Sequence, residues 1–130
     1  MKVEQLSREV PKDDTPAVRP PLFCWRVGRQ GTGYETFMLV WSKRLRLDCC
    51  LIRYKEGASI PPHRDPVKGG ARHYRFNVIL RPARKGGELI CEKSLFRLGP
   101  INFFRPDLAE HEVKPVEKGV RYVFSIGWKR

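Results

Sequence analysis

The chain has 130 residues, enough for one compact domain, and its 41% hydrophobic residues, with seven Phe, four Tyr and three Trp, suffice for one core. No apolar run approaches the roughly 18–20 residues of a membrane-spanning helix. Met1-Lys2-Val3-Glu4-Gln5 lacks the apolar centre of a secretory signal, so a cytoplasmic location is expected. The net charge of +12 invites an anionic partner, but Lys and Arg are scattered in runs no longer than two, which does not favour a dedicated nucleic-acid surface.

In chain order, residues 1–21 are polar and rich in proline (Pro11, Pro16, Pro20, Pro21). They read as a flexible arm with at most a short helix over residues 3–10, leaving residues 22–130 as the folded domain. Residues 22–27 suit a first strand, residues 29–33 a glycine-rich turn, and residues 34–41 a strand in preference to a short helix. Residues 45–55 alternate, with Leu45, Leu47, Cys49 and Leu51 on one face and Arg46, Asp48, Cys50, Ile52 and Tyr54 on the other. Cys49 and Cys50 therefore point apart. With Cys24 and Cys91 isolated and no C-x-x-C present, the four cysteines read as buried free thiols.

Gly57-Ala58-Ser59 ends that strand, and Pro61-Pro62 holds the next residues extended. After the loop Lys68-Gly69-Gly70, residues 72–81 alternate again, with His73, Arg75, Asn77 and Ile79 opposite Tyr74, Phe76, Val78 and Leu80. Residues 82–87 turn the chain. Further short strands are expected over residues 88–92, 95–98, 101–104, 111–113 and 120–128. About eight short strands from residue 45 onward, with few or no helices, predict an all-β double-stranded β-helix, a cupin-like jelly roll.

The chemistry concentrates in His63-Arg64-Asp65, His111 and Arg121. His63 and Asp65 are two residues apart, so an extended segment presents both on one side. Two imidazoles and one carboxylate form the facial set that holds non-haem Fe(II) and leaves positions open. A hydrolytic zinc site would bring its general base in H-E-x-x-H, which is absent. In residues 120–128, Arg121, Val123, Ser125 and Gly127 share the face expected to line the barrel. Val120, Tyr122, Phe124, Ile126 and Trp128 form an apolar face, expected to be buried against the arm or the first strands. A guanidinium inside a small barrel is costly unless paired, and a dicarboxylate ligand would supply the missing anion. His73, Arg75 and Asn77 are too polar for a core stripe; they face either the substrate and metal surroundings or a solvated mouth.

These motifs resemble those of the Fe(II)/2-oxoglutarate-dependent oxygenases, in particular the prolyl-4-hydroxylase-like branch that includes the oxygen-sensing prolyl hydroxylases. The matching segments are Tyr54-Lys55-Glu56-Gly57, His63-Arg64-Asp65-Pro66, Gly86-Gly87-Glu88-Leu89, Phe103-Phe104, His111-Glu112-Val113-Lys114-Pro115-Val116 and Arg121-Tyr122. The resemblance covers residues 46–130. It implies that His63, Asp65 and His111 bind the iron, that Arg121 holds the distal carboxylate of 2-oxoglutarate, and that Tyr54 hydrogen-bonds this cosubstrate. Ile79 stands where some relatives carry a second cosubstrate tyrosine, which shifts weight onto Arg121, Ser125 and Tyr54. The implied reaction consumes O₂ and 2-oxoglutarate, releases succinate and CO₂, and hydroxylates a protein side chain or small molecule. Two readings compete with it: an oxygenase acting on nucleic acid or nucleotides, and a metal-binding jelly roll without catalysis. So reduced a scaffold also suits an open site or a homodimer.

Overall fold

The computed structural model describes residues 20–28, 30–67 and 69–130; most of the arm assigned to residues 1–21 lies outside them. Strands account for all the regular structure of the described residues, and no helix there is long and apolar enough to cross a membrane. In chain order the strands are β1 Trp25–Val27, β2 Tyr34–Ser42, β3 Leu47–Tyr54, β4 Ile60–His63, β5 His73–Arg81 and β6 Lys85–Gly86. They continue as β7 Leu89–Cys91, β8 Ser94–Leu98, β9 Ile101–Phe104, β10 His111–Val113, β11 Val116–Lys118 and β12 Arg121–Lys129.

Seven strands form one sheet in the order β1-β2-β3-β12-β5-β9-β8. Three form a smaller sheet, β4-β10-β7, and β6 pairs with β11. All pairings are antiparallel. The last strand thus lies at the centre of the large sheet, between β3 and β5, as a jelly roll requires. Residues 34–41 are strand, as their pattern indicates.

The differences from the sequence reading are local. Strand β3 starts at Leu47 and not at residue 45, because Arg46 adopts φ 53° in a turn closed from Arg46 N–H to the Lys43 carbonyl. The first strand starts at Trp25, where regular pairing with β2 begins; Phe23, at φ 60°, keeps a single bond to β2 from its N–H to the Met38 carbonyl at 2.9 Å. Residues 85–86 and 116–118 pair with each other, where the sequence suggested a turn over residues 82–87 and no element over 116–118. Neither segment alternates over enough residues to be recognised before its partner is in place.

Register decides which face is inside. Val123 pairs with Ile52 on one side and Ile79 on the other, and Ser125 with Cys50 and Asn77. These residues face the small sheet. The core there is Tyr34, Tyr54, Ala58, Val113, Val116 and Val123, with Ile52, Ile60, Ile79, Ala83 and Leu89 packed around it. Burying each such aliphatic side chain contributes about 1.5–3 kcal/mol.

The opposite face of β12 departs from expectation. Tyr122, Phe124, Ile126 and Trp128 are only half-buried. Strands β1 and β2 extend the edge of the same sheet instead of folding over that face. Its aromatics cover one another: Tyr74, Phe103 and Trp128 form a stack with centroids 5.8–6.0 Å apart.

Candidate metal centre

His63 ends β4 and His111 begins β10, and the ladder places the two residues opposite each other. Their ring centroids are 4.3 Å apart. Asp65 follows β4 in a loop, held by its N–H donating to the Pro106 carbonyl at 2.7 Å. Each imidazole is oriented through its far nitrogen: His63 Nδ1 lies 2.8 Å from the Pro61 carbonyl, and His111 Nδ1 2.9 Å from that of Ala109. A carbonyl only accepts, so each Nδ1 carries the proton and each Nε2 presents a lone pair. Both lone pairs face one carboxylate, with His63 Nε2 3.3 Å from Asp65 Oδ1 and His111 Nε2 3.5 Å from Asp65 Oδ2. Phe104 packs edge-on against His111, with centroids 5.1 Å apart.

Burial alone would raise the Asp65 carboxyl. A proton taken up on Nε2 of either His111 or His63 is held against this carboxylate by hydrogen bond and charge, which outweighs burial and keeps the group well below the usual carboxylate range. The two imidazoles and the carboxylate offer ligand atoms that all lie within 4.8 Å of one another. Two neutral nitrogens and one ionised oxygen on one side of a point are the donor set of a facial Fe(II) site, so the residues fit that ion.

Arg121 opens β12 and is buried, with 5% of its surface exposed. The ladder pairs it with Tyr54, and its guanidinium carbon lies 5.0 Å from the Tyr54 ring centroid. Desolvation lowers the Arg121 pKa, against the raising influence of Tyr54 and, more weakly, Glu88. No carboxylate forms an ion pair with Arg121 among the described residues. Tyr54 is buried as well, which pushes its hydroxyl up to about 12, and its ring stacks on Tyr34 at 5.8 Å.

The remaining expected residues gather elsewhere on the same inner face. Arg75 donates from Nη2 to both oxygens of Asp48 at 2.9 Å, and from Nη1 to Ser125 Oγ at 2.8 Å. Ser125 donates in turn to Asn77 Oδ1 at 2.5 Å. His73 Nε2 lies 3.4 Å from Arg75 Nη2, and burial, then the Arg75 charge, push the imidazole down to about 4. His73, 6% exposed, and Ser125, fully enclosed, lie inside the protein, while Arg75 and Asn77 are half-buried. The hydroxyl of Ser125, expected to contact the cosubstrate, is engaged by Arg75 and Asn77 within the protein.

Three contributors are not visible in the sequence. Asp48 neutralises Arg75. Gly127 makes room for it, since a Cβ there would lie 2.0 Å from Arg75 Nη2. Gln30, in a turn distant along the chain, brings its Nε2 to 3.4 Å from His63 Nε2. Asn102 adds a fourth feature, a buried carboxamide with neither end hydrogen-bonded among the described residues.

A family model described as the 2OG-Fe(II) oxygenase superfamily matches residues 49–129. Among solved structures, the chain is similar to a Pseudomonas putida prolyl-4-hydroxylase at 17% identity, covering 82% of this chain and 77% of that one, with a TM-score of 0.61. It also resembles the Schizosaccharomyces pombe Cnp3 cupin domain (12% identity, 75% of this chain and 65% of that one, TM-score 0.55). A cupin 2 conserved barrel protein from Rhodopseudomonas palustris is a third (15% identity, 73% and 60%, TM-score 0.52). The chain spans less than two thirds of the last two proteins. At these identities the likeness establishes the double-stranded β-helix fold. No curated protein matches.

Proposed function

The chain belongs to the 2OG-Fe(II) oxygenase superfamily, and on that premise we propose that it is an Fe(II)- and 2-oxoglutarate-dependent dioxygenase that hydroxylates an anionic protein side chain or small molecule. The observation that carries this reading is the convergence of His63, Asp65 and His111 on one point, together with a buried Arg121 on the large sheet that forms no ion pair with a carboxylate among the described residues. Bound by the triad, iron supplies the redox chemistry that couples decarboxylation of 2-oxoglutarate to substrate oxidation.

The protein's own part is binding and exclusion. The carbonyls of Pro61 and Ala109 keep both imidazoles in the metal-binding tautomer. Arg121 holds the far carboxylate of the cosubstrate, a charge-assisted contact made stronger by its dry surroundings. Tyr54, its ring centroid 5.0 Å from the guanidinium carbon, orients it. The net charge of +12 supports steering of an anionic substrate.

Anaerobic titration with Fe(II) and 2-oxoglutarate tests the proposal. A weak visible charge-transfer band is expected, with succinate released on admitting air. His63→Ala and His111→Ala should abolish both signals. Wild-type protein that binds iron but never 2-oxoglutarate would show the assignment to be wrong.

A further inference from the structure

The turn between β1 and β2 reaches the metal centre, and nothing in the chemistry above uses it. Its sequence is Gly28-Arg29-Gln30-Gly31-Thr32-Gly33. Gly31 N–H donates to the Gly28 carbonyl at 3.0 Å, and Gly28 N–H to the Tyr34 carbonyl at 2.9 Å. The turn is also tied to the segment just ahead of β4. Ser59 N–H donates to the Thr32 carbonyl at 3.1 Å, and the Thr32 hydroxyl donates back to the Ser59 carbonyl. Gln30 is therefore held against the strand that carries His63.

The orientation of its carboxamide is set by Tyr34, whose hydroxyl donates to Gln30 Oε1. The ring can lie there only because residue 28 is glycine; a Cβ on Gly28 would sit 2.0 Å from the Tyr34 ring. With Oε1 occupied, the end of Gln30 that faces the triad is the Nε2 donor, 3.4 Å from His63 Nε2. That imidazole nitrogen is the metal-binding one, since Nδ1 faces the Pro61 carbonyl.

We propose that Gln30 is a positioning residue for the open side of the metal centre, donating to His63 Nε2 in the ion-free protein and to an oxygen ligand of the ion once that lone pair is taken. The proposal rests on the triad being the metal site. The oxygen ligand it serves first is the metal-chelating end of 2-oxoglutarate. The single lone pair of His63 Nε2 cannot accept from Gln30 and bind the ion at once, so Gln30 competes with a bare ion and supports the cosubstrate that follows it. These effects have opposite signs, which a purely structural role would not produce.

The test uses Mn(II) as the probe ion, read by the loss of its free EPR signal, then calorimetric titration of the Mn(II)-loaded protein with 2-oxoglutarate. Gln30→Ala should bind Mn(II) about fivefold more tightly and 2-oxoglutarate about fivefold more weakly, the worth of one ordinary net hydrogen bond. Tyr34→Phe keeps the ring stack but releases the carboxamide, and should move both affinities in the same two directions by less. If both affinities fall together or neither moves in Gln30→Ala, the proposal is overturned. Failure of the metal-site reading looks different: wild-type protein takes up no Mn(II), or His63→Ala takes it up unchanged.

Discussion

Arg121 shows how one side chain can carry a functional argument. Its position ten residues after His111 and its parity in the last strand were legible in the sequence. Its burial and the absence of a carboxylate partner among the described residues came from the fold. Arg121→Ala should leave Fe(II) binding intact and weaken 2-oxoglutarate binding by about 10- to 100-fold, as expected for a lost charge-assisted hydrogen-bonded contact. Calorimetry on the metal-loaded protein measures it. His73 gives a second prediction. Its imidazole falls from 6.5 to about 4 on folding, so the unfolded chain binds the proton more readily. The stability linked to His73 is complete above about pH 6.5 and is lost as the pH drops toward 4. Urea denaturation across that window should show wild-type protein losing about 3 kcal/mol that His73→Leu does not lose.

Among the elements, β12 is the most informative. Its inner face alternates Arg121, Val123, Ser125 and Gly127, and each meets a different need: the anion binding proposed above, core filling, a hydrogen bond to Arg75, and space for the Arg75 guanidinium. Gly127→Ala should displace that guanidinium and weaken its Asp48 pair, at a cost of about 1–3 kcal/mol by denaturant midpoint. The outer face behaves otherwise. Aromatics from three strands stack there without a covering layer among the described residues, so their mutual contacts contribute most of what that face adds. A double-mutant cycle between Tyr74 and Trp128 should return a coupling of about 1 kcal/mol. The strand positions were readable because alternation is local. Cover of the outer face by the first strands was misread because strand order is not local: β1 and β2 join the sheet edge, and the arm, the other expected cover, lies mostly outside the described residues.

For the whole molecule, the large and small sheets form a barrel with its apolar core around Val123 and its metal centre on the strands of the small sheet. The chain carries a net charge of +12. Any association with an oligonucleotide should weaken steeply between low and physiological salt; binding indifferent to salt, or none at low salt, would remove the nucleic-acid reading. By itself the sequence determined the strand-rich class, the identity of the triad and the side of the last strand on which Arg121 stands. Each depends on residue type and on a two-residue period that neighbours along the chain already express. Only the tertiary structure decided that Asp48 neutralises Arg75, that Ser125 is enclosed by Arg75 and Asn77, and that Gln30 meets His63. Those contacts join residues from 27 to 50 positions apart, and such pairs are set by register across strands and by turns docked on one another, for which no local pattern exists.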